Sequence, residues 1–381
     1  MSSTRRAHGL AATLIAVTTQ VSPAAAIPAA PAPISAAAAP ARVASISGAS
    51  SARTIVVAPD GTDTGSRAMA ADHPVASIAR AIRLAEPGDT VLVHGGTYVG
   101  PAGYGARPGR VDAPIRLQNA PGERVVIKGT LQLEQADYWR VSGIDVTQDP
   151  NGPRKEFLVK FDGGRGWQYL NSEIWGTRGV SNLMISGSER FGAPRDYRVA
   201  GNCIHDNNAV GDPFMNDHNI YLMPGYGSGP GVIERNLMFN AENGAAIKAA
   251  GPTSATGAAR VTIRRNTVVR SAAGVIVGYG SNRIRIRDNL IGAQVKHPPP
   301  GASWVANYDA AVIGNHVSGT ANVAERNAVW GFPQALHQTA DSTRPIRSAR
   351  TTRVTPRFDS TASCSGFHPA DRKAAKHGRF S

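Results

Sequence analysis

The chain has 381 residues, a formal net charge of +14 and two cysteines. Without a leader, about 330 residues remain, a length that fits one solenoid domain but also allows two ordinary domains. The positive charge favours an acidic partner, such as an acidic polysaccharide, although it also fits a general arginine bias plus a basic tail from Arg344 onward. Because no nucleic-acid motif and no array of basic and aromatic residues is present, we predict no nucleic-acid partner.

The first 26 residues have the features of an export signal. Arg5 and Arg6 form a basic start, residues 10–21 form a short apolar stretch, and residues 24–26 offer a small-residue cleavage site. The apolar run is too short to span a bilayer, and no other stretch reaches that length. We therefore predict a secreted, extracellular protein without a membrane span. Residues 27–52, rich in Ala, Pro and Ser, are predicted to be a flexible lead-in.

The next residues predict a small capping unit. A strand is expected over 54–58, a helix over 75–85 with Ile78 and Ile82 one turn apart, and a second strand over 90–94. A helix ahead of a repeat array is well placed to cover the open end of the array, because terminal repeats need a covered edge.

From about residue 111 the pattern predicts one short strand after another. Most of these strands alternate in polarity, and Gly, Asn, Asp and Pro separate them. Short, regularly spaced strands without helices fit a sandwich, a barrel or a β-helix. The strands alone leave these three all-β folds open.

A recurring asparagine favours the β-helix. It stands each time in a similar short apolar frame, and a recurrence of roughly 20 to 40 residues is typical of a solenoid. A buried Asn at a turn can bond its neighbours in the coils above and below. The clear copies are Asn236, Asn266, Asn289 and Asn327, and the fainter ones are Asn202 and Asn171. We predict a β-helix domain over 53–336 and a basic C-terminal segment over 337–381, partly capping and partly flexible.

The repeats also align a second strand of each coil. This alignment places Tyr221, Lys248 and Val277 in one outward-facing column. The neighbouring isoleucines, Ile220, Ile247 and Ile276, are then predicted to face the core. Of the two cysteines, Cys203 lies in a strand pattern and either pairs with Cys364 or is a buried free thiol.

These residues resemble the pectate-lyase-like superfamily of right-handed parallel β-helices. The resemblance rests on the cap, from 57 through 98, and on the repeated coils, and it implies an all-β, right-handed parallel β-helix with an N-terminal capping helix. Residues 266–277 are similar to a coil of the chondroitinase B and alginate lyase family. There, a lysine on the preceding coil is the base and an arginine assists. Lys248 matches the lysine, and Tyr279 falls near the arginine. Ala245 and Ala246 replace the family's calcium-binding glutamates.

The resemblance implies chemistry at Lys248. A uronate lyase removes the proton on C5 of the sugar and expels the O4 substituent, so its base must be uncharged and a lysine base needs a lowered pKa. We predict Lys248 as the base, with Tyr221, His218 and Tyr279 as the other catalytic residues. The alternative is that Lys248 is an ordinary solvated surface lysine.

An acidic cluster lies one coil before Lys248. Carboxylates are the ligands calcium prefers, and Asp206, Asp212 and Asp217 are predicted as its site if the protein uses calcium. Asp217 with His218 could instead position substrate or act as acid and base, and the cluster could also be a polar turn. The predicted substrate-binding residues are Asn219, Asn208 and Arg270.

Three functions fit this sequence. The first is a monomeric polysaccharide lyase acting on an acidic, uronate-containing glycan. The second is a glycoside hydrolase on the same fold, for which Asp206, Asp212 and Asp217 could supply the required carboxylate pair. The third is a non-catalytic β-helix that binds glycan, because fold does not fix function.

Overall fold

A computed structural model of the protein describes residues 52–64, 66, 72–207, 217–224, 228–251, 256–295, 309–361 and 363–381. The leader over 1–26 lies outside these residues, as do residues 27–51 of the segment that follows it. Within the described part of the chain, no helix is long and apolar enough to cross a membrane.

The capping helix forms from Ile78 to Leu84. It begins three residues later than the sequence pattern predicts, because the Ser77 side chain accepts a hydrogen bond from the Arg80 N–H at 3.1 Å and so caps the first turn. Ile78 and Ile82 are buried in the same core as the first strands. The helix therefore contributes its apolar face to the start of the solenoid, as expected.

Within the described residues, the first sheet has eleven parallel strands, one from each successive coil. Their neighbours in the sheet are one coil apart in sequence, which is the arrangement of a parallel β-helix. The strands are Thr54–Val57, Thr90–Val93, Ile115–Asn119, Trp139–Ser142, Gln168–Leu170, Tyr197–Ala200, Gly231–Glu234, Val261–Arg264, Arg285–Arg287, Val323–Glu325 and Arg347–Ala349.

The other strands in the described part of the chain form one 16-stranded sheet with two arms, which we call the second and third sheets. Two long strands, Leu237–Ala249 and Thr267–Gly278, run through both arms. The second sheet adds Gly96–Val99, Val125–Lys128, Ile144–Thr147, Glu173–Trp175, Cys203–His205, Leu290–Gly292, Ala328–Trp330 and Thr352–Arg353. The third sheet adds Leu131–Glu134, Phe157–Asp162, Ser181–Ser186, His218–Met223, Ala310–Asn315 and Gln334–Gln338.

The recurring asparagines form a buried ladder between the first and second sheets. After the first member, each side-chain oxygen accepts from the backbone and side-chain N–H groups of the asparagine one coil earlier, at 2.9–3.1 Å. The ladder runs through Asn202, Asn236, Asn266, Asn289 and Asn327. Asn171 is not part of it: Asn171 is exposed, and the next residue, Ser172, donates its N–H to Asn202.

Each sheet contributes a column of apolar side chains to the interior of the solenoid. In the third sheet, Ile220, Ile247, Val275 and Val312 are aligned and buried. The predicted partner of Lys248 in the next coil was wrong by one residue, because Lys248 pairs with Ile276 and not with Val277. A register shift between Ala241 and Ala245 adds residues to the coil of Lys248. Ile276 therefore faces outward and Val277 joins the core.

The C-terminal segment packs on the outer face of the second sheet. Cys203 and Cys364 form a disulfide that joins the segment to a strand of that sheet. Phe367 is fully buried with Leu237 and Phe239, and the Arg379 N–H donates to the Thr267 hydroxyl at 3.0 Å. The segment therefore covers apolar outward residues of the second sheet.

Candidate active site

Lys248 and Tyr221 lie side by side on the outer face of the third sheet. They are paired in register on adjacent strands, and Lys248 Nζ lies 4.9 Å from the centre of the Tyr221 ring. Met184 and Ile276 occupy the same column on either side. The lysine is therefore flanked by side chains that carry no charge.

Burial lowers the pKa of Lys248 to about 8. No carboxylate among the described residues pairs with its ammonium group, and the small neighbours Ala245 and Ala249 offer no polar groups in their side chains. Loss of hydration disfavours the charged form of an amine when no counter-ion compensates for it. A large fraction of the Lys248 side chains is consequently uncharged in mildly alkaline solution.

The two tyrosines of the predicted site are close to each other. Burial raises the pKa of Tyr221, and the nearby Tyr279 raises it further. Tyr279 stands just after its strand with a positive φ of 53°, and its ring stacks on His316 with a centroid distance of 5.5 Å. The Tyr221 hydroxyl therefore keeps its proton over the pH range in which Lys248 loses one.

His218 lies beneath this pair and is fully buried. Its ring meets the Tyr221 ring edge-on at 5.3 Å, and its Nδ1 accepts the Ala245 N–H at 3.0 Å. Nδ1 is therefore unprotonated, which assigns the proton of the neutral ring to Nε2. Burial lowers the pKa of His218 well below its usual value, and the charge of Lys248 acts in the same direction. Among the described residues, Nε2 has no hydrogen-bond partner.

Two further predicted residues hold the turn that leads into this strand. Asn219 is fully buried, accepts from the Asn182 amide at 3.1 Å and donates to the Phe239 carbonyl at 3.2 Å. Asp217 is also buried and accepts the Asn243 N–H at 3.0 Å. Both side chains are therefore enclosed and bonded to neighbouring chain segments, and neither lies on the surface beside Lys248.

Asp206 and Arg270 belong to a different cluster, at the outer edge of the second sheet. Asp206 accepts from His205 Nδ1 at 2.8 Å and from the Asn240 amide at 2.5 Å, and Asn240 in turn accepts from Arg270 at 2.7 Å. His205 Nε2 contacts Glu173 at 2.9 Å. This cluster lines a cavity of about 450 Å³ beside the C-terminal segment.

His205 is not among the residues predicted from the sequence, yet both of its ring nitrogens contact carboxylates. Burial opposes protonation, but the hydrogen bonds to Asp206 and Glu173 raise the pKa of His205 above its usual value. The ring also stacks on Phe239 at a centroid distance of 4.4 Å. This cluster could have been predicted from the alternation of the second-sheet strands, because the alternation places Glu173, His205 and Phe239 on the same face.

The described residues beside Lys248 do not fit a calcium ion. The positions of the family's glutamates carry Ala245 and Ala246, and Asp217 is enclosed in its turn. Asp212 and Asn208 lie outside the described residues. Elsewhere in the described chain, the one group with metal-ligand spacing is Cys203, His205 and Cys364, and its two sulfurs are joined in the disulfide. We therefore derive no chemical step through a metal.

Comparisons with known proteins agree with the fold. No protein-family model matches the chain. A pectate lyase, PEL9 of Emericella nidulans, is 28% identical over an alignment of 122 residues that covers 26% of this chain. The match spans 29% of the length of that relative.

Two solved structures cover most of the chain. The pectate lyase Pel9A has a TM-score of 0.50 and 18% identity, over 81% of this chain and 78% of its own. A structure described as a glycoside hydrolase has a TM-score of 0.54 and 10% identity, over 79% of this chain and 96% of its own. The resemblance to pectate-lyase-like parallel β-helices is thereby confirmed at the level of the fold, and proteins of this fold include both lyases and hydrolases.

Proposed function

We propose that this protein is a polysaccharide lyase that cleaves a uronate-containing glycan by β-elimination, with Lys248 as the base. The observation that carries the proposal is the outward-facing amine of Lys248, which has no described counter-ion and whose pKa burial lowers to about 8. A general base works best when its pKa lies near the working pH. PEL9 and Pel9A, two of the similar proteins, are pectate lyases.

The residues at the site suit the two proton transfers of β-elimination. The neutral Lys248 amine takes the proton from C5 of the uronate, the electron pair forms the C4–C5 double bond, and the C4–O4 bond breaks. The departing oxygen then needs a proton. Tyr221, adjacent to Lys248 and with a raised pKa, is the group proposed to supply it.

His218 is proposed as a positioning residue in this reaction. It does not reach the surface, but its edge-on contact fixes the Tyr221 ring, and its neutral state adds no second charge beneath Lys248. Tyr279 borders Tyr221 and is proposed to contact the substrate. Asn208 and Asp212, which lie outside the described residues, are proposed to bind substrate and calcium, respectively.

The surroundings of the chemistry also fit an extracellular glycan. A disulfide such as Cys203–Cys364 persists in an oxidising compartment, and the predicted leader over 1–26 would direct export. The formal charge of +14 favours attraction of an acidic polymer. A hydrolase would need two carboxylates about 5 to 9.5 Å apart across the cleft. Of the acids predicted for that role, Asp217 is buried and accepts the Asn243 N–H, and Asp206 belongs to the His205 cluster on the second sheet.

The test is an assay with alginate, polygalacturonate and dermatan sulfate, each with and without calcium. A lyase produces an unsaturated sugar, so ultraviolet absorbance should rise on at least one substrate, and Lys248→Met should remove the rise. Lys376→Met, which removes an exposed lysine from the C-terminal segment, is the matched control and should stay active. New reducing ends without new absorbance would instead identify a hydrolase, and full activity of Lys248→Met would refute the assignment of the base.

A further inference from the structure

A second cavity lies on the outer face of the second sheet, away from Lys248. It has a volume of about 520 Å³, within the usual range of small-ligand sites. All of its lining residues belong to the described chain: Lys128, Thr147, Gln148, Pro150, Trp175, Gly176 and Arg178. The chemistry of the proposed reaction uses none of them.

The parallel register builds this cavity from consecutive coils. Lys128, Thr147 and Trp175 are aligned in one outward column, and adjacent strands are about 4.8 Å apart. Because Thr147 is small, the column leaves a depression between the exposed Lys128 and the indole of Trp175. The depression has an aromatic wall at one end and a cation at the other.

Gln148 supplies an unused acceptor in the wall of the cavity. Its residue surface is 6% exposed. The side-chain NH₂ donates to the carbonyls of Asp149 at 3.1 Å and Pro153 at 3.2 Å, which fixes the orientation of the amide. Among the described residues, Oε1 has no hydrogen-bond partner. A buried acceptor without a partner costs free energy, and a ligand hydroxyl would remove that cost.

The two cations at the cavity favour a negatively charged ligand. Lys128 is exposed and has no ion-pair partner among the described residues, and the exposed Arg178 is oriented by one hydrogen bond, to the Gly152 carbonyl at 2.7 Å. A guanidinium has five donors, so Arg178 keeps others for a carboxylate or sulfate. No carboxylate lines this cavity.

We propose that the Trp175 cavity is a second, non-catalytic binding site for an acidic oligosaccharide. The apolar face of a sugar would pack on Trp175, a sugar hydroxyl would donate to Gln148 Oε1, and the acidic group would face Lys128 and Arg178. The choice of an acidic sugar rests on the proposed function, whereas the site itself lies on a different sheet from Lys248. Binding there would hold the polymer on the enzyme between cleavage events.

The test is calorimetric titration with trigalacturonate and trimannuronate, with maltotriose as the uncharged control. The Lys248→Met protein is used so that the ligand is not consumed, and the wild-type protein is titrated in parallel. Trp175→Ala should weaken binding of the acidic trimer about tenfold. Lys128→Gln should weaken it about threefold without affecting maltotriose, and the exposed Lys376→Gln should change nothing.

Equal affinity of the parent, Trp175→Ala and Lys128→Gln proteins for every trimer would overturn the proposal, as would a parent that binds none of them. If Trp175→Ala does not fold, as judged by circular dichroism, Lys128→Gln and Gln148→Met decide the question. The two proposals fail separately, because the titration reports binding at Trp175 even when no substrate is cleaved.

Discussion

Two buried histidines of the same solenoid have opposite surroundings. His205, on the second sheet, contacts Glu173 and Asp206 through its two nitrogens and has a raised pKa. His218, on the third sheet, accepts one backbone N–H, lies near the ammonium of Lys248 and has a lowered pKa. Both rings are buried against aromatic neighbours. At His205 the two carboxylate partners outweigh the effect of burial, whereas His218 has no carboxylate partner among the described residues and burial lowers its pKa.

The contrast extends to the cations beside them. Arg270, near His205, donates to Asn240 and lies 5.7 Å from the Phe239 ring, within a network closed by the C-terminal segment. Lys248, near His218, has an aromatic ring for a neighbour but no described counter-ion. A fully paired cluster stabilises a fold, whereas an unpaired ionisable group is a candidate for chemistry. This difference is why we assign the reaction to the third sheet.

The largest effect is expected from Lys248→Arg. A guanidinium stays charged and cannot accept a proton, so kcat/KM on the cleaved glycan should fall by about 10²- to 10⁴-fold. In the wild-type protein, kcat/KM should rise with pH and level off above an apparent pKa of about 8, because the neutral amine is the active form. Steady-state assays from pH 6 to pH 10 on both proteins measure this. An activity that is independent of pH across this range would contradict the role of Lys248.

The second-largest effect is expected from loss of the disulfide beside the His205 cluster. Cys203 and Cys364 are 161 residues apart, and closing a loop of this length stabilises the folded state by roughly 3–5 kcal/mol. The Cys203→Ser/Cys364→Ser protein should lose that much free energy of unfolding in denaturant titrations. Reduction of the wild-type protein should lower its stability to the same level. Reductant should leave the double variant unchanged.

A third prediction reverses the usual sign of a mutation at a poorly hydrated side chain. Lys248 is charged in the unfolded chain at neutral pH, and burial without a counter-ion among the described residues disfavours that charge in the fold. Lys248→Met should therefore raise the free energy of unfolding at pH 7 by on the order of 1–3 kcal/mol while it removes activity. Since the folded pKa is about 8 and the unfolded one about 10.4, the gain should shrink between these two pH values. A destabilised Lys248→Met protein would refute this account.

The smallest effect is expected at His205, on the second sheet. Because the pKa of His205 is higher in the fold than in the unfolded chain, its contribution is fully present below about pH 6.5 and is lost as pH rises through the folded pKa. His205→Gln should flatten this part of the stability profile by on the order of 1 kcal/mol. Denaturant titrations at several pH values measure it, and His368→Gln, at an exposed position, serves as the control.

Much of the fold could be predicted because its signal recurs. Asn202, Asn236, Asn266, Asn289 and Asn327 stand in similar frames, and each forms the same hydrogen bonds in the structure. Asn171 was misassigned because it resembles the others in sequence, although Ser172 takes the ladder position. A repeated local environment leaves a repeated local pattern, and one sequence is enough to detect it.

The candidate site was predictable only in part. The pairing of Tyr221 with Lys248 followed from the alignment of the repeats. The register of the next coil could not be predicted in this way. The number of extra residues between Ala241 and Ala245 depends on how the chain packs there. Asn219 and Asp217, polar and close to Lys248 in sequence, were grouped with it, yet the turn directs them inward.

By itself, the sequence determined the parallel β-helix, its asparagine ladder and the place of Lys248 beside Tyr221, because these depend on residue type and spacing within a coil. Only the tertiary structure decided which ionisable groups are paired. His205 obtains its carboxylates from Glu173 and Asp206, and Lys248 loses hydration between neighbours on three strands. The charge state of a group depends on the distances between coils and on the water that they exclude. Neither quantity can be derived from the spacing of residues along the chain.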